Sequence, residues 1–578
     1  MSVGLVGSSV NVNVHDRTVQ ESRQLIDEKI ALYERSILEL KYQRNELASV
    51  SRLPPEVLGT IFVFASAAAR YGQPSSWFNF SYVCQLWRNV ALTTPNIWCF
   101  IPLHQQWATT MLERSKTADL ILDLNLADTS FTLPRVQFIK NSLDNHTSRI
   151  RELSVAGVSS STLSILLHDL QPSSLRLRSL RLIGIYEDCL DFPASILANS
   201  EGLWDMDLVR CNIAWCSMPL TGLTSLKMSY NSTRPLWLDF ITALGDMASL
   251  ATLEMRDSLP LADKLHRRTS NPIKLTKLRE LNLGSTRDIR EVLNVFSSIV
   301  VPQVATIKAG GGVDGTSKNV PSFLSDFSSS FSAFISEMSS EHSEAVFYQT
   351  LVVESTYNDL DLEAWKDDVK PEARYITPAN LDLSIHRLPY PEKMLHECTK
   401  HFPLSRLKTL YLSIDISQVV LRECFGNLPQ LRNVTVSGKA TLAFIRALIH
   451  KSRGHNRRPK VYYGVTFPAL ESLKITEAIF SPDHEGGFTF EELQDCLMER
   501  CNRNAEVRKL TLYDCFCLYE RDVDLIREIV VDVDWDEQED EYISEDEDED
   551  DDEDMYSDYY SDYNYGDSED DFTTFMGY

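Results

Sequence analysis

A seven-residue repeat of apolar positions is the first regular pattern in the chain, between residues 20 and 50. One series has members seven residues apart: Ile26, Tyr33, Leu40 and Leu47. A second series follows each of the first three at four residues: Ile30, Ile37 and Arg44. The spacing predicts a helix with an a/d seam over about three heptads. Such a helix either forms a coiled coil or packs as one amphipathic helix on its own protein.

Two shorter amphipathic helices are predicted between Leu53 and Trp98. Pro54 and Pro55 suit a first helical turn because their φ is fixed. Apolar residues then recur at helical spacing: Leu58, Ile61, Phe62 and Ala65. After a polar loop the same spacing returns: Phe80, Val83, Cys84 and Trp87. Pro95 ends this second helix. A unit of this size buries little of its own surface, which is typical of a module that docks on a partner.

Internal repeats follow from about residue 120 to 515, each with the pattern L-x-x-L-x-L. The copies begin at Ile150, Leu177, Leu203, Leu223, Leu250, Leu278, Val304, Leu407, Leu431, Leu470 and Val507. Successive early copies are 20 to 28 residues apart, a spacing typical of leucine-rich repeats, in which each unit adds a strand to a parallel sheet and a returning helix. Helical spacing over 237–244 and 289–296 supports this interpretation.

Three segments interrupt or follow the repeats. The stretch from Gly310 to Glu344 is rich in Ser and Gly, so the region 310–345 is predicted to be a long surface loop or an insertion between repeats. A second insertion, 451–460, is basic and predicted to be exposed, either as a solvated loop or as a docking site for an acidic partner such as the protein's own tail. The first 19 residues are predicted to be flexible.

Acidity is concentrated at the C-terminus. The 578-residue chain has a net charge of −27, but 23 Asp and Glu residues lie between Asp532 and Asp571, and no Lys or Arg follows Arg527. The remainder carries only −4. Residues 531–578 are therefore predicted to be a disordered acidic tail, solubilising or regulatory, whose removal leaves the melting temperature of the body unchanged. The remainder has no concentrated basic face, so no nucleic-acid partner is expected.

Composition narrows the location and the chemistry. Hydrophobic residues make up 43% and charged residues 24%, as in an average globular protein. No apolar run reaches the length of a membrane span and the N-terminus lacks a signal-peptide pattern, so a cytoplasmic or nuclear protein without a membrane partner is expected. The 11 cysteines are irregularly spaced, which favours reduced thiols. Cys211, Asn231 and Cys515 occupy the repeat position that satisfies loop backbone, which predicts a structural role.

Two motifs that suggest chemistry do not meet its requirements. The run from Gly310 to Lys318 is similar to a phosphate loop, but its Lys comes two residues late. His396 and His401 are similar to a zinc-protease pair but are five residues apart, and on a helix they diverge by about 140°. We therefore expect no metal, no cofactor and no catalytic residue.

The segment from Leu53 to Trp98 resembles an F-box. The resemblance lies in three runs: Leu53–Leu58, Val83–Arg88 and Pro95–Trp98. With the heptad helix directly before it and the ending W-R-x-x-A-x-x-x-P-x-I/L-W, the chain is similar to the large F-box family of basidiomycete fungi. The loop from Ser66 to Asn79 departs from the family's usual Asp-Pro-x-Asp-Leu turn.

The resemblance implies a substrate-recognition subunit of an SCF-type ubiquitin ligase. A three-helix F-box at 51–100 would bind a Skp-type adaptor and through it a cullin scaffold. The family positions imply these adaptor contacts: Leu53, Pro54, Leu58, Ile61, Phe62, Val83, Trp87 and Trp98. The alternative for Phe62, Val83 and Trp87 is a place only in the module's own core, and for Trp87 the two are equal. Two other functions stay open: an interaction scaffold that directs no ubiquitination, and an acidic-tail chaperone of basic proteins.

The predicted architecture is α/β: the heptad helix at 20–50, the F-box, a leucine-rich-repeat-like solenoid at 101–530 and the tail. In L-x-x-L-x-L, the residues that alternate with buried leucines face outward and should bind an unknown protein target. These residues are Arg181, Asp207, Lys227, Glu254, Asn282 and Tyr411. Their mixed charge suits a folded protein better than a polyanion.

Overall fold

The structure is a computed structural model. It describes residues 19–69, 79–104, 107–125, 133–167, 175–185, 189–193, 197, 200, 202–215, 221–261, 271–313, 320–340, 347–370, 373–453, 461–484 and 486–540. The predictions for residues 1–18, for the tip of the basic insertion at 454–460 and for 541–578 lie outside these residues. None of the described helices is long and apolar enough to cross a membrane.

The helices begin and end as follows: α1 Val19–Glu46, α2 Pro55–Ala69, α3 Gln85–Thr93, α4 Ala108–Arg114, α5 Leu133–His146, α6 Ser160–Leu167, α7 Trp237–Asp246, α8 Arg290–Phe296, α9 Val320–Ser340, α10 Pro391–Thr399, α11 Gln418–Phe425, α12 Ala440–Leu448, α13 Phe490–Asn502 and α14 Glu520–Arg527.

The strands are β1 Phe100–Pro102, β2 Leu120–Asn125, β3 Ile150–Val158, β4 Ser179–Gly184, β5 Leu190–Asp191, β6 Asp205–Val209, β7 Cys211–Asn212, β8 Ser225–Ser229, β9 Thr252–Arg256, β10 Ile273–Lys274, β11 Glu280–Ser285, β12 Ile299–Val300, β13 Thr306–Gly312, β14 Thr350–Glu354, β15 Leu360–Trp365, β16 Leu381–His386, β17 Thr409–Ser413, β18 Asn433–Ser437, β19 Ile449–Arg453, β20 Val461–Val465, β21 Ser472–Thr476, β22 Lys509–Tyr513 and β23 Asp532–Trp535.

The chain forms two compact units, Met1–Leu431 and Arg432–Tyr578. In the first unit the repeats lie side by side in one sheet, and each pair of neighbours from β1 to β13 is parallel. The strand order there is β1, β2, β3, β4, β6, β8, β9, β11, β13. The repeat leucines are buried, as Leu180 and Leu182 show. The prediction of a parallel repeat sheet with helices is confirmed. In the loosest copy, which begins at Val304, that first residue is exposed instead of buried.

The turns after the strands use polar side chains as the repeat pattern predicts. Asn231 is buried, and its Oδ1 accepts a hydrogen bond from the backbone N–H of Cys211 in the preceding repeat at 3.3 Å. The thiol of Cys515 is also buried and donates to the carbonyl of Ile475 at 3.8 Å. These side chains satisfy backbone groups that water does not reach.

The pattern breaks after β13 because the chain runs backwards through the sheet. β13 pairs in parallel with β16, β16 pairs antiparallel with β15, and β15 pairs antiparallel with β14. β14 then pairs in parallel with β17. The next three strands therefore join the sheet in reverse chain order. This meander explains why no L-x-x-L-x-L copy could be found between Ala309 and Ser405.

The segment predicted as a loop or insertion at 310–345 contains a long helix. Helix α9 buries four phenylalanines at helical spacing: Phe323, Phe327, Phe331 and Phe334. The ring of Phe334 stacks on Phe296 with centroids 4.2 Å apart. The Ser and Gly content misled the prediction, since the helical signal is carried by the phenylalanines between the serines.

The second unit has a sheet of β18, β21, β22 and β23, with all neighbours parallel. The predicted basic insertion begins inside the antiparallel hairpin of β19 and β20. The predicted tail boundary at residue 531 is wrong, because β23 occupies Asp532–Trp535 and pairs with β22. Acidic residues are tolerated there because this edge strand exposes its Asp side chains.

Candidate interaction surfaces

The N-terminal module consists of α2, α3 and the 3₁₀ turns Ser49–Arg52, Asn79–Tyr82 and Pro95–Trp98. Its core is aromatic: the ring of Phe62 stacks on Phe80 at 4.6 Å and lies 5.0 Å from Trp87. The predicted second helix is interrupted because Cys84 is extended, with φ −159° and ψ 172°, so α3 begins only at Gln85. Phe80 therefore packs from a 3₁₀ turn.

Three of the predicted adaptor contacts are internal. Leu58, Phe62 and Trp98 are each less than 5% exposed, so they do not reach a partner. Trp98 donates a hydrogen bond from Nε1 to the carbonyl of Ala91 at 2.7 Å, and the Arg114 guanidinium lies 4.4 Å from its ring. Trp98 therefore fixes α3 and α4 to the start of the repeats.

The other predicted adaptor residues face outward to different degrees. Pro54, Ile61 and Val83 are exposed, whereas Leu53 and Trp87 are half-buried. Sequence reasoning missed three exposed apolar neighbours: Val57, Phe64 and Tyr82. Val57, Ile61 and Phe64 follow i, i+4, i+7 spacing, a second apolar stripe on α2 that the sequence already contained. We call Pro54, Val57, Ile61, Phe64, Tyr82 and Val83 the apolar patch.

All six predicted target residues lie in one register row across the first unit. Paired Cα positions connect Arg181 to Asp207, Asp207 to Lys227, Lys227 to Glu254, and Glu254 to Asn282. The row then continues through Lys308, Asp382, Glu363 and Val352 to Tyr411. In the other direction it reaches Ser154 and Asp123. We call Asp123 to Glu363 along this row the charged row.

Tyr411 differs from the rest of the row. It packs against a buried cluster that contains Val352 and Trp365, and the Arg374 guanidinium lies 4.8 Å from its ring. Trp365 also donates a hydrogen bond from Nε1 to the carbonyl of Thr377 at 3.0 Å. The segment after β15 therefore covers the sheet at this end, and Tyr411 is a poor contact for a target.

Signs alternate along much of the charged row, and neighbours pair. Arg181 Nε lies 3.2 Å from Asp207 Oδ2, and Lys308 Nζ lies 3.3 Å from Asp382 Oδ2. Burial raises the pKa of Asp207, and the nearby Arg181 and Lys227 oppose that rise. Asp123, Lys308, Asp382 and Glu363 were missed because their strands match the leucine pattern loosely or not at all.

A depression of about 350 Å³ lies beside the charged row. It forms where two strands carry glycine at paired positions, Gly284 in β11 and Gly310 in β13. Arg256 and Ser384 flank this pair in the same register on β9 and β16. Its lining includes Asn282, Lys308, Asp382 and His386. Acidic and basic side chains therefore surround the exposed backbone of the two glycines.

The two motifs considered for chemistry have structural partners. His396 Nε2 lies 3.3 Å from Glu423, while His401 Nε2 lies 2.6 Å from the Ser328 hydroxyl. Gly310–Gly312 belong to β13 rather than to a loop, and a Cβ on Gly311 would lie 2.8 Å from the carbonyl oxygen of Ser285. Within the described ranges no group of three His, Cys, Asp or Glu residues is arranged to hold a metal.

Comparisons with known proteins give weak similarities. No family model matches the chain, and no curated protein matches it. The crystal structure of a TLR13–ssRNA13 complex is 12% identical with a TM-score of 0.28, covering 68% of this chain and 43% of that chain. The crystal structure of a Rad7 and Elc1 complex in yeast is 10% identical with a TM-score of 0.23, covering 78% and 92%. The chain thus spans less than half of the TLR13 chain.

Proposed function

We propose that this chain is a substrate-recognition subunit of an SCF-type ubiquitin ligase. The N-terminal module, which resembles an F-box, binds a Skp-type adaptor through the apolar patch, and the adaptor connects it to a cullin scaffold. The charged row and the depression beside it bind a protein target. In this role the chain acts by binding, and the covalent chemistry belongs to the ubiquitin-conjugating enzyme.

The observation that carries the proposal is the exposure of the apolar patch on a module joined directly to the repeat sheet. Phe64, Tyr82 and Val83 are 58 to 72% exposed. Exposed apolar residues that share one helix face, as Val57, Ile61 and Phe64 do on α2, mark a candidate site of protein contact. The turn Pro95–Trp98 leads within two residues into β1, so no flexible linker separates the two proposed binding surfaces.

A short, packed connection suits a mechanism based on proximity. A rigid receptor holds the target at a defined distance from the ubiquitin-conjugating enzyme, which raises the effective concentration of a target lysine. Trp98 would serve this mechanism indirectly, because its contacts to Ala91 and Arg114 hold the module against the first strands.

The alternating charges favour a partner with a mixed-charge surface. A polyanion attracted to Lys227 and Lys308 would be repelled by the neighbouring carboxylates of Asp207, Glu254 and Asp382. A target side chain with hydrogen-bonding groups fits the depression, which Gly284 and Gly310 line without side chains of their own. We therefore expect a folded protein target that inserts one residue at this position.

The adaptor surface is tested with Ile61→Asp combined with Phe64→Asp. The double variant should lose the Skp-type adaptor in a pulldown, since two charges replace exposed apolar contacts without touching the module's core. Ile165→Asp is the matched control, because Ile165 on α6 is 54% exposed and lies in the repeats. Adaptor recovery equal to wild type from the double variant would reject the proposed patch.

The target surface is tested with Asp207→Lys, Lys227→Glu and Glu254→Lys together, and separately with Gly284→Phe. Both should retain the adaptor and lose a shared set of proteins labelled by a fused biotin ligase. A Cβ on Gly284 meets Arg256 Cγ at an ordinary 3.7 Å, so the first side-chain atom of the second variant fits, and circular dichroism checks that the variant folds. Labelling unchanged in both variants would exclude this face as the target surface.

The adaptor pulldown also tests the ligase function itself. Recovery of the adaptor without a cullin would indicate a scaffold that directs no ubiquitination.

A further inference from the structure

Helix α1 exposes its heptad seam along most of its length. It spans 28 residues, and the exposed fraction of its apolar seam side chains is 49 to 65%. These side chains are Ile26, Ile30, Tyr33, Ile37 and Leu40; Leu47, the first residue after the helix, continues the seam and is 76% exposed. The sequence left two alternatives, a coiled coil or packing on the same protein. Exposure of the whole seam in the described residues argues against the second.

An exposed seam of this length needs a partner with the same period. Most helical stability in proteins comes from packing of an apolar face, and water does not supply it. A seam that repeats every seven residues packs best against another helix that repeats every seven. The simplest such partner is α1 of a second copy of this chain, because its seam has the same length and spacing.

We propose that α1 pairs with α1 of a second copy as an antiparallel coiled coil. In the proposed register the residue numbers of facing seam positions add to 70. Ile30 then faces Leu40 of the second copy, and Tyr33 faces Ile37 of the second copy. The pairing is independent of the proposed ligase function.

The seam's arginines select the antiparallel orientation. Arg23 lies seven residues before Ile30 and so extends the second seam series. A parallel pair in register would place Arg44 against Arg44 of the second copy and Arg23 against Arg23, two like-charge contacts inside the seam. The antiparallel register places Arg44 opposite Ile26 instead, and Arg23 opposite Leu47, the first residue after α1.

The flanking positions support the same orientation. On one side of the antiparallel seam, Asp27 lies beside Lys41 of the second copy. Two-fold symmetry repeats this attractive pair, so it occurs twice in the dimer. One repulsive pair, Glu34 with Glu34 of the second copy, lies on the axis. A parallel pair would form two attractive contacts, each between Lys29 of one copy and Glu34 of the other. It would still place Arg23 against Arg23 and Arg44 against Arg44.

Sedimentation of the full chain over a concentration series tests the pairing. We expect wild type to approach twice the 65.9 kDa chain mass. Ile30→Asp with Ile37→Asp should sediment as monomer. Leu32→Asp with Leu38→Asp is the matched control, because these residues are 57 and 63% exposed on α1 but lie off the seam; it should remain a dimer. A wild-type monomer at every concentration, or equal loss in both variants, would overturn the proposal.

Disulfide trapping tests the orientation. Ile30→Cys with Leu40→Cys should form a cross-linked dimer on oxidation, above the background that the native thiols give in wild type. Ile30→Cys alone should stay at background, because the two copies of position 30 would lie about 15 Å apart along an antiparallel seam, beyond the reach of a disulfide. Efficient cross-linking of the single variant would indicate a parallel pair and refute the antiparallel register.

Discussion

Cys496 and Cys501 lie on the same helix, α13, in opposite environments. Cys501 is exposed, whereas Cys496 is buried and its thiol donates to the carbonyl of Ile445 at 3.7 Å. Burial raises the pKa of Cys496 to about 12, although the nearby Arg500 favours the thiolate. Because the thiolate is the reactive form, position on the helix decides which thiol reacts.

We therefore predict selective alkylation. Iodoacetamide at pH 8 should modify Cys501 in the folded protein and leave Cys496 intact, as measured by peptide mapping. Cys496 lacks both thiolate and solvent access, since a pKa of about 12 leaves about one thiolate in ten thousand at this pH. In guanidinium chloride both should react at similar rates. Rapid modification of Cys496 in the native protein would contradict its buried position.

At the scale of elements, β23 shows that an acidic segment can belong to a sheet. The carbonyl of Asp540 accepts a hydrogen bond from the backbone N–H of Cys517 at 2.7 Å, and Glu539 Oε1 accepts one from the N–H of Glu520 at 2.8 Å. β23 also covers the edge of β22. Residues 532–540 are therefore part of the second unit, and cutting before Asp532 removes structure.

Composition alone predicted that removing residues 531–578 leaves the melting temperature unchanged, and the position of β23 in the sheet predicts a decrease. A chain ending at Val531 should melt several degrees below wild type, because it loses β23 and these hydrogen bonds, together worth about 2–4 kcal/mol. A chain ending at Asp540 should melt like wild type, since it keeps the strand and loses only the residues beyond it. Differential scanning calorimetry of the two truncations gives the comparison. Equal melting temperatures would mean that β23 contributes nothing to the sheet.

On the scale of the whole molecule, charge is divided unevenly along the chain. Residues 541–578 hold 17 of the 83 acidic residues and no Lys or Arg, so the rest of the chain carries −10 of the total −27. The charged row, in contrast, contains five acidic and three basic residues, and some neighbours of opposite sign pair, such as Arg181 with Asp207. A polycation should therefore favour the C-terminal segment, and a mixed-charge protein should favour the row.

Two binding modes with different salt dependence follow. Labelled polylysine should bind the full chain at low salt, weaken steeply as salt rises, and bind a chain ending at Asp540 much less, as measured by fluorescence anisotropy. Recovery of the proposed target should be the same for both chains. If the shortened chain bound polylysine as tightly as the full chain, the acidic contacts would lie in the body instead.

The sequence by itself determined the repeat strands and the α/β class. Leucines at fixed spacing are buried in every clear copy because a strand alternates its side chains between two faces, and this periodicity is local. For the same reason the pattern placed Arg181, Asp207, Lys227, Glu254 and Asn282 on one face, and the parallel register then joined them into one row.

Only the tertiary structure decided which apolar side chains remain exposed and where the strands join. The reversed order of β14 to β16 depends on contacts between strands distant in sequence, which no local period records. On α2 both apolar stripes have helical spacing. Phe62 is in the core because it packs against Phe80 and Trp87, whereas Ile61 on the other stripe remains exposed. Burial of Arg500, which donates to the carbonyls of Thr466 and Phe467, likewise depends on a loop folded against α13. Local spacing defines the candidates, and long-range packing selects among them.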